Sequence, residues 1–328
     1  MKKLLTRLFE HEKLSSQEAK ETLIRIAKGE FNNSQIASFL TVFLMRPIAV
    51  QELTGFREAL LELSLKVDLS GFNTIDLCGT GGDGKDTFNI STLTSFVVAG
   101  TGNKVAKHGN YSVSSASGSS DMLEFLGYNF TNDESVLNRQ LDKANICFLH
   151  APMFHPAMKA VGPARKEMGV KTFFNMLGPL VNPSSPQNQM VGVFNLEVGR
   201  LYKEVLSKTS DNFAVVHALD GYDEISLTGP FKMYTKHKEE IITPKQIGLR
   251  QIQQSEIYGG STVAEAAKIF TSVLDGNGSE AQNNVVLTNA AFALKTFDHN
   301  LSFKDAFGQA KDSLLGGKAK ECLELLVK

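Results

Sequence analysis

Between Leu77 and Asp121 the chain reads LCGTGGDGKDTFNISTLTSFVVAGTGNKVAKHGNYSVSSASGSSD, which holds two loops rich in glycine and hydroxyl side chains. Each follows a short apolar run that reads as a strand. Glycine lets a backbone present successive N–H groups to an anion, and a helix starting just after such a loop adds its own unpaired N–H groups. Two such loops at one sheet edge, with Lys107 in the second, suit the binding of a highly phosphorylated ligand.

Two common phosphate-loop patterns are met in part and fail on chemistry. Gly79, Gly81 and Gly84 satisfy G-x-G-x-x-G, while Gly79, Gly84 and Lys85 satisfy most of the nucleotide-hydrolase loop. The hydrolase loop needs Ser or Thr after its Lys to bind magnesium, whereas Asp86 would bring a carboxylate to the phosphates. A dinucleotide fold needs an acid near the end of the next strand for the ribose hydroxyls. The strand-like run 104–106 leads instead into Lys107, His108, Gly109 and Asn110, and a cation there points to phosphate. What remains of the first loop is Asp83 followed by Thr87, Asn89, Ser91 and Thr92, the last two placed to cap a helix over 93–99.

The elements that must carry these loops show in the hydrophobic pattern. Residues 1–66 have helical periodicity, with Ile36, Phe39, Leu40, Phe43 and Leu44 on one face and Leu53, Phe56, Leu60 and Leu63 on another. Four short helices are expected there, and Pro47 and the stretch 68–73 break the pattern. From about residue 70, strand and helix signals alternate. The runs 74–78, 104–106, 145–149, 189–194 and 213–218, with helical patterns between most of them, predict a mostly parallel sheet. Residues 231–243 read as a hairpin. Amphipathic helices are expected over 262–274, 280–296 and 303–326, the last interrupted near Gly316 and Gly317. The fold class is α/β, with a small helical domain over 1–70 and a larger α/β domain over 71–328.

With 328 residues, 42% hydrophobic, and a net charge of -1, the chain can bury one large core and a smaller one. Its charge balance offers no general nucleic-acid surface. Cys78, Cys147 and Cys322 are odd in number and widely spaced, so neither a disulfide framework nor a zinc cluster is expected, and a reducing cytoplasm fits. Charges in MKKLLTRLFEHEK precede any apolar core of signal-peptide length, and no apolar run is long enough to span a membrane.

In chain order, Gly79-Thr80-Gly81-Gly82-Asp83, Asn89-Ile90-Ser91-Thr92, Lys107-His108-Gly109-Asn110, Ser117-Gly118-Ser119 and Asp223-Glu224 form a set that resembles the anthranilate phosphoribosyltransferases. The resemblance continues through Arg165-Lys166-Glu167, 174–180 and Asn182-Pro183. It implies a nucleoside phosphorylase/phosphoribosyltransferase-like fold, in which a segment near 160–185 packs with the helical domain and substrates lie between the domains. It also implies a reaction of tryptophan biosynthesis: the anthranilate amine displaces pyrophosphate from phosphoribosyl pyrophosphate, with Mg2+ required. A homodimer built mainly from the N-terminal helices is implied as well.

Carried over by that resemblance, the phosphoribosyl pyrophosphate ligands are Gly79, Gly82, Asp83, Thr87, Asn89, Ile90, Ser91, Thr92, Lys107, His108, Gly109, Asn110 and Ser119. Anthranilate would meet Gly79, Asn110 and Arg165, whose planar fork suits a carboxylate. Mg2+ would be held through Ser91, Asp223 and Glu224. Adjacent strand residues point to opposite faces, so Asp223 and Glu224 can serve one site only from a turn, which Gly221 and Tyr222 favour. Holding amine and sugar in line can supply roughly 7 to 11 kcal/mol, so no dedicated general base is expected. His108 and His155 receive no catalytic role.

Two residues depart from the family's usual pattern: Tyr111 stands where Arg is usual, and Ser120 where Ala is usual. Neither is a named ligand, but Tyr111 removes a positive charge near the phosphates. The rival readings are a pyrimidine nucleoside phosphorylase-like enzyme, which shares the architecture, and a non-enzymatic nucleotide-binding relative. The Lys-His-Gly-Asn run, the Asp-Glu pair and Arg165 favour the transferase.

Overall fold

The computed structural model of the chain describes residues 1–112 and 117–328. Strands β1 (Thr74–Gly79), β2 (Lys104–Gly109), β3 (Ile146–His150), β4 (Asn188–Gly192) and β5 (Asn212–Ala218) run parallel, in the spatial order β3-β2-β1-β4-β5. β6 (Phe231–Thr235) and β7 (Glu239–Ile242) extend the same sheet as an antiparallel hairpin. The strand order reverses between β1 and β4, whose last residues, Gly79 and Gly192, are paired in register. The loops leaving the carboxyl ends of strands at such a reversal diverge and open a crevice for ligand.

The helix Ile90–Gly100 is buried along nearly its whole length, as expected of ISTLTSFVVAG, whose apolar residues leave no polar face. It packs against the helices Glu280–Phe297, Phe303–Leu315 and Lys318–Val327. At its far end a Cβ on Gly100 would stand 2.2 Å from Ser313 Oγ, and that hydroxyl donates to the Val97 carbonyl at 2.7 Å. The packing fixes this helix so firmly that its first turn becomes a rigid wall for whatever binds at the sheet edge. Ser279, Thr262 and Ser302 cap the helices that follow them.

The chain divides into two compact units, Met1–Lys66 with Ala151–Pro183, and Val67–His150 with Ser184–Lys328. In the first, four helices, Lys2–Phe9, Ser16–Ala27, Asn33–Met45 and Val50–Glu62, are joined by Ala151–Phe154 and Met158–Met168. Phe39, Phe43, Phe56 and Phe173 form its aromatic centre, with Phe56 and Phe173 stacked at 4.5 Å between centroids. Glu52 is fully buried there, and its charge is answered by Arg46 at 2.6 Å and by the Leu14 and Ala49 N–H groups. Among the described residues no helix is long and apolar enough to cross a membrane.

Two expectations on element boundaries need correction. β2 runs three residues beyond 106, so Lys107 and His108 are buried residues of the strand itself and do not follow it. The helix expected over 93–99 starts at Ile90, which places Ser91 and Thr92 inside its first turn, where they are not caps.

Candidate active site

Asp223 and Glu224 lie in the bend after β5 and reach back to the first glycine loop. Asp223 Oδ2 accepts the Gly81 N–H at 2.7 Å, and the Asp223 N–H donates to Asp83 Oδ2 at 3.4 Å. Glu224 Oε1 accepts the Ser91 N–H at 2.9 Å, so an acid 133 positions downstream satisfies the first turn of the helix Ile90–Gly100. That is why Ser91 and Thr92 need not cap it. Thr87 Oγ1 lies 3.5 Å from Glu224 Oε2. The bend is itself pinned, because Asn289 accepts the Ile225 N–H and donates to the Ile225 carbonyl.

Both carboxyls are held well above the usual carboxylate range. For Asp223 the cause is burial first and the Asp83 carboxylate second, which push it up to about 7. For Glu224 burial again dominates, with Asp223 and Asp83 adding repulsion. Two adjacent acids that resist ionisation while facing backbone N–H groups form a site in want of a cation.

The other candidate residues of this unit gather at the same sheet edge. Asp83 Oδ1 accepts the Lys85 N–H at 3.0 Å and closes the first loop on itself. Gly79 and Gly82 belong to that loop, and Gly82 has a positive φ of 76°. Asn89 joins the two loops, its Nδ2 donating to the Ser117 and Gly118 carbonyls at 3.1 and 3.3 Å. Ile90 is fully buried in the core and its N–H is taken by the Phe88 carbonyl at 2.6 Å, so its side chain does not line the site. Thr92 is buried in the same turn.

Near the end of β2, Lys107 is only 2% exposed and its Nζ donates to the Leu77 carbonyl of β1. Burial lowers its pKa, and Asp76 and Glu224 work against that shift. The His108 N–H donates to Asp76 Oδ1 at 3.0 Å. Gly109 can only be glycine here, since a Cβ would stand 2.3 Å from Ser119 Oγ and 2.5 Å from Phe148 Cζ. Ser119 Oγ lies 3.4 Å from the Asn110 carbonyl, and Asn110 is exposed.

Arg165 belongs to the other unit, on the helix Met158–Met168. It is half-buried with its guanidinium 5.3 Å from the Phe174 ring centroid. His155, in the same unit, is pushed down to about 4 by burial, which keeps the imidazole neutral and suits packing better than proton transfer.

Sequence reasoning passed over three features. Gly192 seats the acid pair: a Cβ there would lie 1.4 Å from the Asp223 carbonyl oxygen, and one on Gly79 would lie 2.4 Å from Asp223 Oδ2. A glycine inside the apolar run 189–194 was the available signal, since glycine within a strand marks close approach of another backbone. Residues 257–259 hold the first loop from outside, through Phe88 N–H to the Ile257 carbonyl and Gly259 N–H to the Asp86 carbonyl at 2.7 Å. Asp121 accepts the N–H groups of Ser112 and Gly118, both at 2.8 Å, and so fixes the two flanks of the second loop.

Family models place the architecture in one group of enzymes. Residues 2–64 match the helical bundle domain of a glycosyl transferase family and 71–320 its a/b domain. The anthranilate phosphoribosyltransferase of Flavobacterium johnsoniae is 60% identical, over 99% of this chain and 98% of its own length. The chain belongs to the anthranilate phosphoribosyltransferase family. The family's enzyme from Christiangramia forsetii is 55% identical over the whole of this chain and 99% of its own. Among solved members, that of Thermus thermophilus superposes with a TM-score of 0.92 at 31% identity, covering 98% of both chains. The member from Saccharomyces cerevisiae, solved in complex with PRPP and Mg, gives 0.90 at 28% identity, covering 98% of this chain and 95% of its own.

Proposed function

We propose that this chain transfers the phosphoribosyl group of phosphoribosyl pyrophosphate to the amine of anthranilate and releases pyrophosphate, with Mg2+ as its metal. The observation that carries the reading is the pair of contacts from Asp223 to Gly81 N–H and from Glu224 to Ser91 N–H. They bring a buried and a half-buried carboxylate to the first glycine loop, which Asn89 ties to the second.

Breaking the anomeric C–O bond leaves an oxocarbenium-like sugar and a pyrophosphate of growing charge, and a site accelerates the step by binding that charge more tightly than the ground state. The first loop and the Lys107 ammonium are the groups of this chain suited to the diphosphate. On this reading Asn110 and Ser119 bind the donor from the second loop, and Arg165 offers a fork for the acceptor's carboxylate.

The residues fit Mg2+ on the chemistry of their donors. Among the described residues no three His, Cys, Asp or Glu side chains converge on one point. Mg2+ is commonly held by one or two carboxylates, with substrate phosphates and water completing the shell, and Asp223 with Glu224 supplies that arrangement, Ser91 standing beside them. When bound, the ion neutralises diphosphate charge that the chain's own cations leave unbalanced. The reading extends to a homodimer through the helical unit, where Phe9, Leu44 and Met45 are exposed, and to a reducing cytoplasm, which suits three free cysteines.

Pyrophosphate release from phosphoribosyl pyrophosphate, measured with anthranilate, with thymidine plus phosphate, and with no acceptor, tests the proposal. Release only with anthranilate supports it. Phosphorolysis of thymidine, or release indifferent to acceptor, removes it.

A further inference from the structure

Lys85 lies outside the set of ligands above, and its surroundings are unusual for a surface lysine. It is half-buried, and its backbone N–H is fixed to Asp83 Oδ1 at 3.0 Å. Its ammonium rests 4.7 Å from the centroid of the Tyr222 ring, and Tyr222 is the residue just before the acid pair. A Cβ on Gly221 would lie 3.6 Å from Lys85 Cε, so the stem runs along the bend that carries Asp223 and Glu224. Among the described residues it forms no ion pair, although Asp83 and Asp220 act on Tyr222 and Asp223 follows it in the chain.

The second cation of the site behaves differently. Lys107 is buried within β2 and already donates to the Leu77 carbonyl. Among the described residues Lys85 has only an aromatic face for its charge, which is a weaker partner than a phosphate oxygen. Its four-carbon stem lets the ammonium move several ångströms without disturbing the loop, because the backbone is held by Asp83 independently.

We propose that Lys85 is a diphosphate-binding residue: on arrival of the donor its ammonium leaves the Tyr222 ring and pairs with the pyrophosphate oxygens. Tyr222 is then a parking place that keeps the charge beside the acid pair and away from a lasting ion pair with it. This inference rests on the phosphoribosyl donor proposed above and adds a residue that the sequence comparison with the family does not assign.

The test is calorimetric titration of wild type, Lys85→Ala and Lys85→Arg with inorganic pyrophosphate in the presence of Mg2+, alongside steady-state kinetics. Lys85→Ala should weaken pyrophosphate binding and raise the donor KM by about 10-fold to 100-fold. Lys85→Arg should restore most of the affinity, and the anthranilate KM and melting temperature should stay as in wild type. Pyrophosphate affinity and donor KM unchanged in Lys85→Ala overturn the assignment, as does an equal rise in both substrates' KM. Binding is read here without turnover, so a failure of anthranilate transfer shows separately, in the wild-type assay.

Discussion

Gly192 and Asp223 lie backbone against backbone, so close that a Cβ on Gly192 would stand 1.4 Å from the Asp223 carbonyl oxygen. Gly192 ends β4 and pairs in register with Gly79, which ends β1 and leaves room for the Asp223 carboxylate. The acid pair is therefore aimed by two glycines at the strand-order reversal, and not by its own bend alone.

Gly192→Ala should accordingly displace Asp223 while leaving the sheet intact. A shift of about 1 Å in a positioned group can cost about 100-fold in rate, so kcat/KM should fall by at least that much, with a raised Mg2+ requirement. Circular dichroism should show retained secondary structure. Wild-type kinetics in the variant would show that the seat has slack the geometry does not suggest.

Asp223 carries a stability signature. Its carboxyl is raised to about 7 in the folded chain by burial and Asp83, against about 3.9 unfolded. The folded state thus prefers the protonated form; that preference is fully present below about pH 4 and is lost as pH rises through 7. Asn resembles the protonated acid and keeps an oxygen for the Gly81 N–H. In Mg2+-free buffer Asp223→Asn should therefore stabilise the fold at pH 8 by roughly 2 to 4 kcal/mol and change little at pH 4. Denaturant melts at the two pH values measure this. An equal effect at both would contradict it.

The fold was legible because its signals are local. Alternating apolar and helical runs gave the parallel strands, and the pattern at 1–66 gave four helices, all of which rest on side-chain periodicity. The glycine-rich loops were legible by composition and by resemblance. What was not legible depends on partners far along the chain. The Ser91 N–H is satisfied by Glu224, so the helix start was misplaced by three residues and its apparent caps lost that role. The strand over 104–106 was read three residues short because nothing in KVAKHG shows that β3 pairs with β2 as far as Gly109. The need for glycine at 192 is likewise set by a backbone 31 positions away.

Arg165 should govern the acceptor alone. It sits half-buried over Phe174 with burial lowering its pKa, so its charge is incompletely solvated and ready for a carboxylate. Arg165→Ala should raise the anthranilate KM by about 10-fold to 100-fold and leave the donor KM near wild type. Asp223→Asn with Glu224→Gln should do the opposite, lowering turnover and shifting its Mg2+ dependence. Equal losses for both substrates in both variants would sink the division of roles.

Tyr111 turns its hydroxyl toward Glu124 at 3.4 Å and sets its ring edge-on to His150 at 4.9 Å between centroids. It brings no positive charge to the second loop. Tyr111→Arg should lower the donor KM, by about 3-fold to 10-fold if one charge-assisted contact is gained in a partly exposed place. An unchanged donor KM would mean that position 111 does not reach the phosphates.

The central claim is that this chain joins a phosphoribosyl donor to anthranilate at a site organised by Asp223 and Glu224. The most direct measurement follows anthranilate fluorescence in a mixture of purified protein, phosphoribosyl pyrophosphate and Mg2+, with EDTA added to a parallel sample. The account predicts loss of signal with Mg2+ and none with EDTA, matched by pyrophosphate release in equal amount. Unchanged fluorescence from folded protein that binds the donor would contradict it, and Arg165 would be the first assignment to abandon.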